Sequence, residues 1–260
     1  MSPDWLPLAA HWLFLGGAAF FAGMVDAVVG GGGLVQIPVL FSALPADTPI
    51  ATIFGTNKLA SFAGTGSAVW RYARRVSIPW RVVLPATLLA LAGAWIGAAL
   101  VAWLPRDWMR PLVLVLMISA AVYTFMNKNF GHVETRELTP RDRWRGGLLG
   151  LVIGLYDGFF GPGTGSFLLF AFVRLFGMDF LRASASAKVI NSATNIAAIG
   201  FFASHGPLLW STGIGMAGCN LIGAQIGSAM ALRHGSGFIR KAFLVVVVTL
   251  IGKLAFDLLR

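Results

Sequence analysis

The sequence contains Gly23-Met-Val-Asp26-Ala-Val-Val-Gly30 near its start and Gly154-Leu-Tyr-Asp157-Gly-Phe-Phe-Gly161 in its second half. The two stretches lie 131 residues apart, and each ends a long apolar run. Each then passes into a glycine-rich break, at 30–33 and at 161–166, that precedes a second and shorter apolar run. A motif of this kind that occurs twice predicts two related halves, each with an interrupted helix.

Further matches keep nearly the same offset and support the duplication. Lys58 corresponds to Lys188 and Trp80 to Trp210, 130 residues apart. Gly93-Ala-Trp-Ile-Gly97 corresponds at that offset to Gly223-Ala-Gln-Ile-Gly227, and Arg110 to Arg240. One match is expected by chance, whereas a constant offset through four different features indicates an internal repeat. The Gly-xxx-Gly pairs are small-residue packing faces, which we expect to join the two halves within one chain.

Composition places the chain in a membrane. Of its 260 residues, 57% are hydrophobic and 12% are charged, with a mean hydropathy of +0.77. A water-exposed protein surface normally requires about 25% charged residues. The net charge of +10 does not indicate nucleic-acid binding, because most Lys and Arg residues lie in short loops between apolar runs. That distribution is typical of the positive-inside rule.

The apolar pattern predicts an all-α membrane protein of two inverted-topology repeats, each with about five helical segments. The second segment of each half is about 11 to 13 residues long, too short for the roughly 20 residues of a full span, so we expect a broken or re-entrant helix there. The expected domains are a first repeat at 1–126, a cytoplasmic linker at 127–145 and a second repeat at 146–260. The expected segments are 8–29, 34–44, 51–70, 82–104 and 110–126 in the first half, and 146–160, 165–177, 185–203, 208–232 and 238–257 in the second.

Loop charge predicts the inversion. The loop after the third segment carries Arg71, Arg74, Arg75 and Arg81 in the first half, whereas its counterpart at 204–209 carries no Lys or Arg. The loop after the fourth segment shows the opposite bias, because its positive charge is greater in the second half than in the first. Equivalent loops are therefore expected on opposite membrane faces. We therefore expect a multi-pass membrane protein with the central linker in the cytoplasm and both termini in the periplasm.

The two glycine-rich breaks are candidate anion sites. A break leaves the first backbone N–H groups of the following helix without intrahelical partners, and the helix dipole adds positive potential there. Two such helix ends that face one cavity at the bilayer midplane form a site for an anion. Thr164 and Ser166 add hydroxyl donors. The alternative is that the glycines only permit tight turns or close helix packing.

Four charged residues lie inside apolar segments: Asp26, Lys58, Asp157 and Lys188. A charge at membrane depth is costly and is tolerated where it faces a cavity or a partner. The lysines are candidates for attracting an anion, and the aspartates for neutralising them or relaying protons. Two buried ion pairs that merely hold helices together are the open alternative. Asn57, Asn191 and Asn195, with Thr56 and Ser184, are further polar candidates nearby.

Other chemistry finds little support in the sequence. Cys219 is the single cysteine, and the four histidines show no metal-ligand spacing, so we expect no metal site and no cofactor. Neither glycine break continues into the Gly-Lys-Ser/Thr of a nucleotide-binding loop. No paired nucleophile and base suggests an enzyme.

The motifs from Gly23 to Gly33, Gly55-Thr-Asn-Lys58, Asp157-Gly-Phe-Phe-Gly-Pro-Gly-Thr-Gly165 and Ala185-Ser-Ala-Lys188 with Asn191 resemble those of the TauE/SafE family of sulfite and organosulfonate exporters. The resemblance covers nearly the whole chain. Ala187 stands where the first half has Asn57, so a site that uses Asn57 is not symmetric. The resemblance implies that the substrate path is lined by Gly30, Gly31, Gly32, Gly33, Asn57, Lys58, Gly161, Pro162, Gly163, Thr164, Gly165, Ser166, Lys188 and Asn191.

The expected function is a secondary transporter that exports sulfur-containing anions, such as sulfite, organosulfonates or thiosulfate, by alternating access. A passive anion channel is the alternative. The expected partners are a small anionic substrate and the lipid bilayer, with no nucleic acid, and a homo-oligomer remains open. Coupling to protons through Asp26 or Asp157 is a further hypothesis.

Overall fold

The computed structural model describes residues 8–103 and 137–234, together with isolated positions within 111–122 and position 248. Every regular element in these ranges is an α-helix. The expected segment at 110–126 is therefore seen only at isolated positions, and that at 238–257 lies outside the described residues except for position 248. The all-α class predicted from the apolar pattern is confirmed.

The helices follow the two-half pattern of the sequence. In the first half they are α1 (Leu8–Val29), α2 (Gly33–Ala43), α3 (Ile50–Ala73) and α4 (Trp80–Trp103). In the second half they are α5 (Pro140–Phe159), α6 (Thr164–Phe176), α7 (Phe180–His205) and α8 (Trp210–His234). The second helix of each half is short, with 11 residues in α2 and 13 in α6, as the apolar runs predict.

Local sequence signals set several helix ends. Thr139 and Asp142 form a capping box at the start of α5, with Pro140 in the first turn. The carboxylate of Asp179 accepts hydrogen bonds from the backbone N–H groups of Leu181 and Arg182, and so caps α7. Gly177 ends α6 at φ 61°, a left-handed conformation that favours glycine.

Two helices begin earlier than the apolar runs predict. Helix α5 starts at Pro140 rather than near 146, and α7 starts at Phe180 rather than near 185. The added turns carry polar and charged residues, such as Arg141, Arg143 and Arg182, which a hydropathy criterion excludes. The capping residues Thr139 and Asp179 mark these starts in the sequence, so cap signals were the better guide.

The two halves pack against each other through equivalent pairs of helices. Helix α4 of the first half packs along α5 of the second, and α8 of the second packs along α1 of the first. Gly97 lies so close to α5 that an added Cβ would be 2.1 Å from the Leu155 carbonyl oxygen. Gly227 lies equally close to α1, because an added Cβ on it would be 2.2 Å from the Met24 carbonyl oxygen. The expectation that the Gly-xxx-Gly faces join the halves within one chain is confirmed.

Helices α3 and α7 contact each other at the centre of the molecule, and each also packs on the fourth helix of the other half. Their buried residues include the polar side chains of Asn57, Lys58, Lys188 and Asn195. The short helices α2 and α6 reach α3 and α7, respectively, from the side. The polar interior of the molecule therefore lies where these two long helices meet the ends of the two short ones.

Polarity is distributed from inside to outside in the manner of a membrane protein. Buried positions hold lysine, aspartate and asparagine, while large apolar side chains such as Leu88 and Ile96 on α4, Leu148 on α5 and Ile214 on α8 are exposed. By length and composition, the spans Ala10–Val28 and Trp80–Val101 are long and apolar enough to cross a membrane. An apolar exterior around a polar interior is suited to lipid and unsuited to water.

Candidate anion site between the two halves

The two glycine-rich breaks lie against each other. Gly30 faces Gly165 so closely that an added Cβ on Gly30 would be 2.3 Å from the backbone of Gly165. Gly33 is the first residue of α2, and an added Cβ on it would lie 3.3 Å from the Cα of Pro162. Gly30 and Gly161 both have positive φ angles, of 76° and 90°. Glycine at these places therefore meets two requirements, a left-handed backbone and close approach to the other half.

A small buried cavity lies where the breaks meet. It offers about 20 Å³ to the centres of water-sized spheres, room for about one or two water molecules. Its wall combines residues of both breaks with polar residues of α1, α3, α5 and α7. The lining residues are Asp26, Gly31, Gly33, Asn57, Lys58, Ser61, Asp157, Gly161, Gly163, Thr164, Gly165, Asn191 and Asn195.

Lys58 of α3 forms a buried ion pair with Asp157 of α5. The distance from Lys58 Nζ to Asp157 Oδ2 is 2.7 Å, and the two side chains are 4% and 1% exposed. Gly161 lies beside this pair, since an added Cβ would be 2.8 Å from Lys58 Nζ. Both charged groups line the cavity.

Lys188 of α7 forms the corresponding ion pair with Asp26 of α1. The distance from Lys188 Nζ to Asp26 Oδ2 is 2.8 Å, and Lys188 Nζ also donates a hydrogen bond to the backbone carbonyl of Asp26. The Asp26 carboxylate has further neighbours, with the Gly32 N–H 3.4 Å from Oδ1 and the Thr65 hydroxyl 3.4 Å from Oδ2. Asp26 lines the cavity, whereas Lys188 does not.

Both ion pairs cross between the halves. Each lysine belongs to the third helix of one half and pairs with the aspartate that precedes the glycine break of the other half. The sequence left open whether these residues form ion pairs or face a cavity. The structure shows two ion pairs, and three of the four residues also line the cavity.

Amide side chains add uncharged polar groups to the wall. Asn57, Asn191 and Asn195 are buried and line the cavity. Asn57 Oδ1 and Asn195 Nδ2 have no hydrogen-bond partner within the described ranges. A buried polar group without a partner is costly, so these amides are suited to a bound ligand or water.

The structure brings most of the predicted site residues together at this cavity. The candidates that do not line it are Gly30, Gly32, Thr56, Pro162, Ser166, Ser184 and Lys188. Gly32 and Lys188 contact the Asp26 carboxylate instead, and Gly30 packs on Gly165. Ser166 is fully buried close to Gly30.

Ser61 and Thr65 were missed at the sequence level. Ser61 lines the cavity, and its hydroxyl donates to Gln36 Oε1 at 3.1 Å. Both were detectable, because they lie three and seven residues after Lys58, the helical spacing that places residues on one face. The same spacing after Lys188 gives Asn191 and Asn195, which were identified.

Tyrosine hydroxyls hold the backbone next to each break. Tyr156 donates a hydrogen bond of 2.6 Å to the carbonyl of Pro162 inside the second break. Tyr72 at the end of α3 donates one of 3.0 Å to the carbonyl of Ala27 on α1. These contacts tie the irregular backbone to neighbouring helices, which satisfies carbonyl groups that lack helical partners.

Comparison with known proteins assigns the family. The family described as "Sulfite exporter TauE/SafE" matches residues 15–254, which is most of the chain. This chain belongs to the TauE/SafE family. The family resemblance carried by the glycine breaks and the two lysines is thereby confirmed, and the TauE/SafE match extends over both halves.

Curated relatives are named as transporters. A "Probable membrane transporter protein ORF9" of Sinorhizobium sp is 39% identical over 251 residues, covering 96% of this chain and 95% of the relative. A "Probable membrane transporter protein YfcA" of Escherichia coli is 33% identical, covering 96% and 91%. A "Probable membrane transporter protein" of Haemophilus influenzae is 31% identical, covering 92% of each. No solved structure matches the chain.

Family and relatives together establish a membrane-embedded transporter of the TauE/SafE type. This agrees with the apolar exterior and the polar interior of the helical bundle.

Proposed function

We propose that this TauE/SafE protein exports sulfur-containing anions, such as sulfite, organosulfonates or thiosulfate, across the bacterial inner membrane as a secondary transporter. The observation that carries the proposal is the shared cavity, where two glycine-rich breaks and Lys58 meet in the buried centre. Helix N-termini, an ammonium group and amide N–H groups are all donors. Sulfur oxyanions present several acceptor oxygens, so the chemistry is complementary.

Alternating access is supported by the way the halves meet. Helices α1 and α8 form one contact between the halves, and α4 and α5 form the equivalent one, so the cavity lies at the junction of two related units. Inverted repeats that rock about a central site are the usual basis of such transport. The cavity is smaller than a sulfur oxyanion, so in this proposal the two halves separate slightly as the substrate enters.

The inverted topology remains part of this proposal and is supported by loop charge. The Arg74 and Arg75 side chains that follow α3 are exposed, whereas the equivalent connection at 206–209 carries no charge. With the arginine-rich loop in the cytoplasm, both termini fall in the periplasm.

Flux measurements test the transport proposal. Purified protein in liposomes should pass labelled sulfite or a sulfonate, and unlabelled substrate on the opposite side should accelerate that flux. Lys58→Ala should lower the flux about tenfold or more, because a hydrogen bond to a charged group contributes about 1.5–3 kcal/mol and about 1.4 kcal/mol is a factor of ten.

The control is the double variant Lys58→Ala with Asp157→Asn, which removes the pair without leaving a buried carboxylate unpaired. It should fold as the wild type does and should also lose flux. Normal flux in this folded double variant would exclude Lys58 from the transport path. Flux that opposite-side substrate does not accelerate, accompanied by single-channel currents, would identify the alternative, a passive anion channel.

A further inference from the structure

The two ion pairs that cross between the halves are not equivalent. Among the described residues, Asp26 has three polar neighbours: Lys188, the Gly32 N–H and the Thr65 hydroxyl. Within the described ranges, Asp157 has Lys58 as its one polar side-chain contact. Asn195, the residue equivalent to Thr65, lines the cavity, and its Nδ2 contacts no acceptor there. The carboxylate of Asp157 therefore depends on a single partner, and that of Asp26 does not.

The two lysines differ as the two aspartates do, because Lys188 has more polar contacts than Lys58. Lys188 Nζ is held by both the backbone carbonyl and the carboxylate of Asp26, and it lies off the cavity wall. Among the residues that the structure describes, Lys58 Nζ has one acceptor, Asp157, and it lies on the cavity wall. Lys58 can turn toward a ligand by giving up one contact, whereas Lys188 would give up two and lies off the wall of this cavity.

We infer that the Lys58–Asp157 pair opens to bind the transported anion, that Asp157 takes up one proton as it opens, and that the Lys188–Asp26 pair stays closed. This inference rests on the proposed transport function. The anion replaces the Asp157 carboxylate on Lys58 Nζ, and Lys188–Asp26 keeps the two halves joined during that exchange.

Charge balance at the cavity accounts for the proton. The cavity region holds two lysines and two aspartates, so its net charge is zero before the anion enters. A monoanion on Lys58 leaves the Asp157 carboxylate without a cation in a nearly dry interior, which is strongly unfavourable. One proton from the side on which the anion enters removes this charge. A monoanion and a proton therefore move together, and their combined transfer carries no net charge.

In the part of the chain that the structure describes, the helices around Asp157 carry few other ionisable groups near the cavity. Helix α3 contributes Lys58, and α7 contributes Lys188, which is engaged by Asp26 of α1. The remaining charged groups of α7 that the sequence provides, Arg182 and His205, lie near its two ends. Helices α4 and α6, which also pack on α5, carry only Arg81 and Arg174, each near a helix end and away from the cavity. On α5 itself, Tyr156 is engaged with Pro162.

Proton uptake on anion binding tests the inference. We would add methanesulfonate, a monoanion without a proton that titrates near pH 7, to detergent-purified protein in weakly buffered solution with a pH indicator. Calorimetry on the same samples counts the anions bound. The wild type should take up about one proton for each monoanion bound, and Asp157→Asn should bind the anion with no proton uptake.

Asp26→Asn is the matched control, because it makes the same change in the other pair. Because Asp26 also lines the cavity, this variant should bind the anion less tightly, but it should still take up about one proton for each anion that it binds, and its melting temperature should be lower than that of the wild type. Anion binding without proton uptake in the wild type would overturn the inference, and this requires no variant. If Asp26→Asn abolished the proton uptake and Asp157→Asn retained it, the assignment of roles to the two pairs would be overturned.

The same experiment separates this inference from the proposed function. If the wild type passes sulfur anions in liposomes but takes up no proton on binding them, the proposed transport function is retained and the inferred proton coupling is rejected. If the wild type neither binds nor passes any sulfur anion, both the transport function and the proton coupling are rejected.

Discussion

At the scale of single residues, the four charges in the polar interior, on Asp26, Lys58, Asp157 and Lys188, are tolerated because each has a partner from the other half. Removing one partner from a buried pair leaves the other as an uncompensated charge, which typically costs about 3–5 kcal/mol. The Lys188–Asp26 pair is buried and joins α7 to α1, so its loss should lower the stability of the protein. The lysines and aspartates could be identified from the sequence because they interrupt apolar runs. Their cross-pairing could not, because it depends on how the halves pack.

Lys188→Met should therefore destabilise the protein by about 3–5 kcal/mol, since it leaves the Asp26 carboxylate without its cation. Thermal unfolding in detergent, followed by tryptophan fluorescence, measures the change. The double variant Lys188→Met with Asp26→Asn should recover a large part of the loss because no buried charge remains. Equal stability of the single variant and the wild type would show that this pair does not hold the halves together.

At the scale of structural elements, the glycine-rich breaks end α1 and α5 and begin α2 and α6 at the same place. Positive φ angles at Gly30 and Gly161 permit the change of direction, and close contacts such as Gly30 on Gly165 bring the two breaks together. The existence of the breaks and the short helices was predictable from glycine content and run length. The contact between the breaks was a hypothesis, because sequence spacing does not show which helix ends meet.

Gly161→Ala should impair transport much more than an average glycine substitution. A residue with a Cβ at φ 90° is strained by about 1–3 kcal/mol, and its Cβ would lie 2.8 Å from Lys58 Nζ. We expect a flux reduction of about tenfold in the liposome assay. Gly66→Ala in α3 is the matched control, because nothing lies within 4 Å of its added Cβ.

The control should keep wild-type flux and gain up to about 1 kcal/mol of stability from the better helix propensity of alanine. Similar flux in both glycine variants would show that the second break does not require glycine and is not close to the transport path.

At the scale of the whole molecule, the two halves of the chain enclose one polar centre. The repeat offset predicted which helices correspond, and the packing of α1 on α8 and α4 on α5 agrees with that correspondence. Helix starts were predicted less well, because hydropathy excludes charged first turns such as 140–145. The opposite orientation of the halves in the membrane rests on loop charge and is open to direct measurement.

The residues that follow α3 and those at the C-terminal end of α7 should be reached from opposite sides of the membrane. In a Cys219→Ser background, Ser204→Cys should react with a membrane-impermeant maleimide in intact spheroplasts. Ser77→Cys should react only after the membrane is permeabilised. Both serines are exposed, so accessibility within the protein is matched. Labelling of both from the same side would contradict the inverted arrangement.

The central claim is that a sulfur-type anion binds between the two glycine breaks, against Lys58. The most direct measurement is an anomalous difference map from crystals grown with selenite, in which selenium marks the position of a sulfite-like anion. We expect one strong peak within hydrogen-bond reach of Lys58 Nζ, bounded by Gly31 and Gly33 on one side and Gly161 and Gly163 on the other. A peak at another position, or none at this cavity in crystals saturated with selenite, would contradict it.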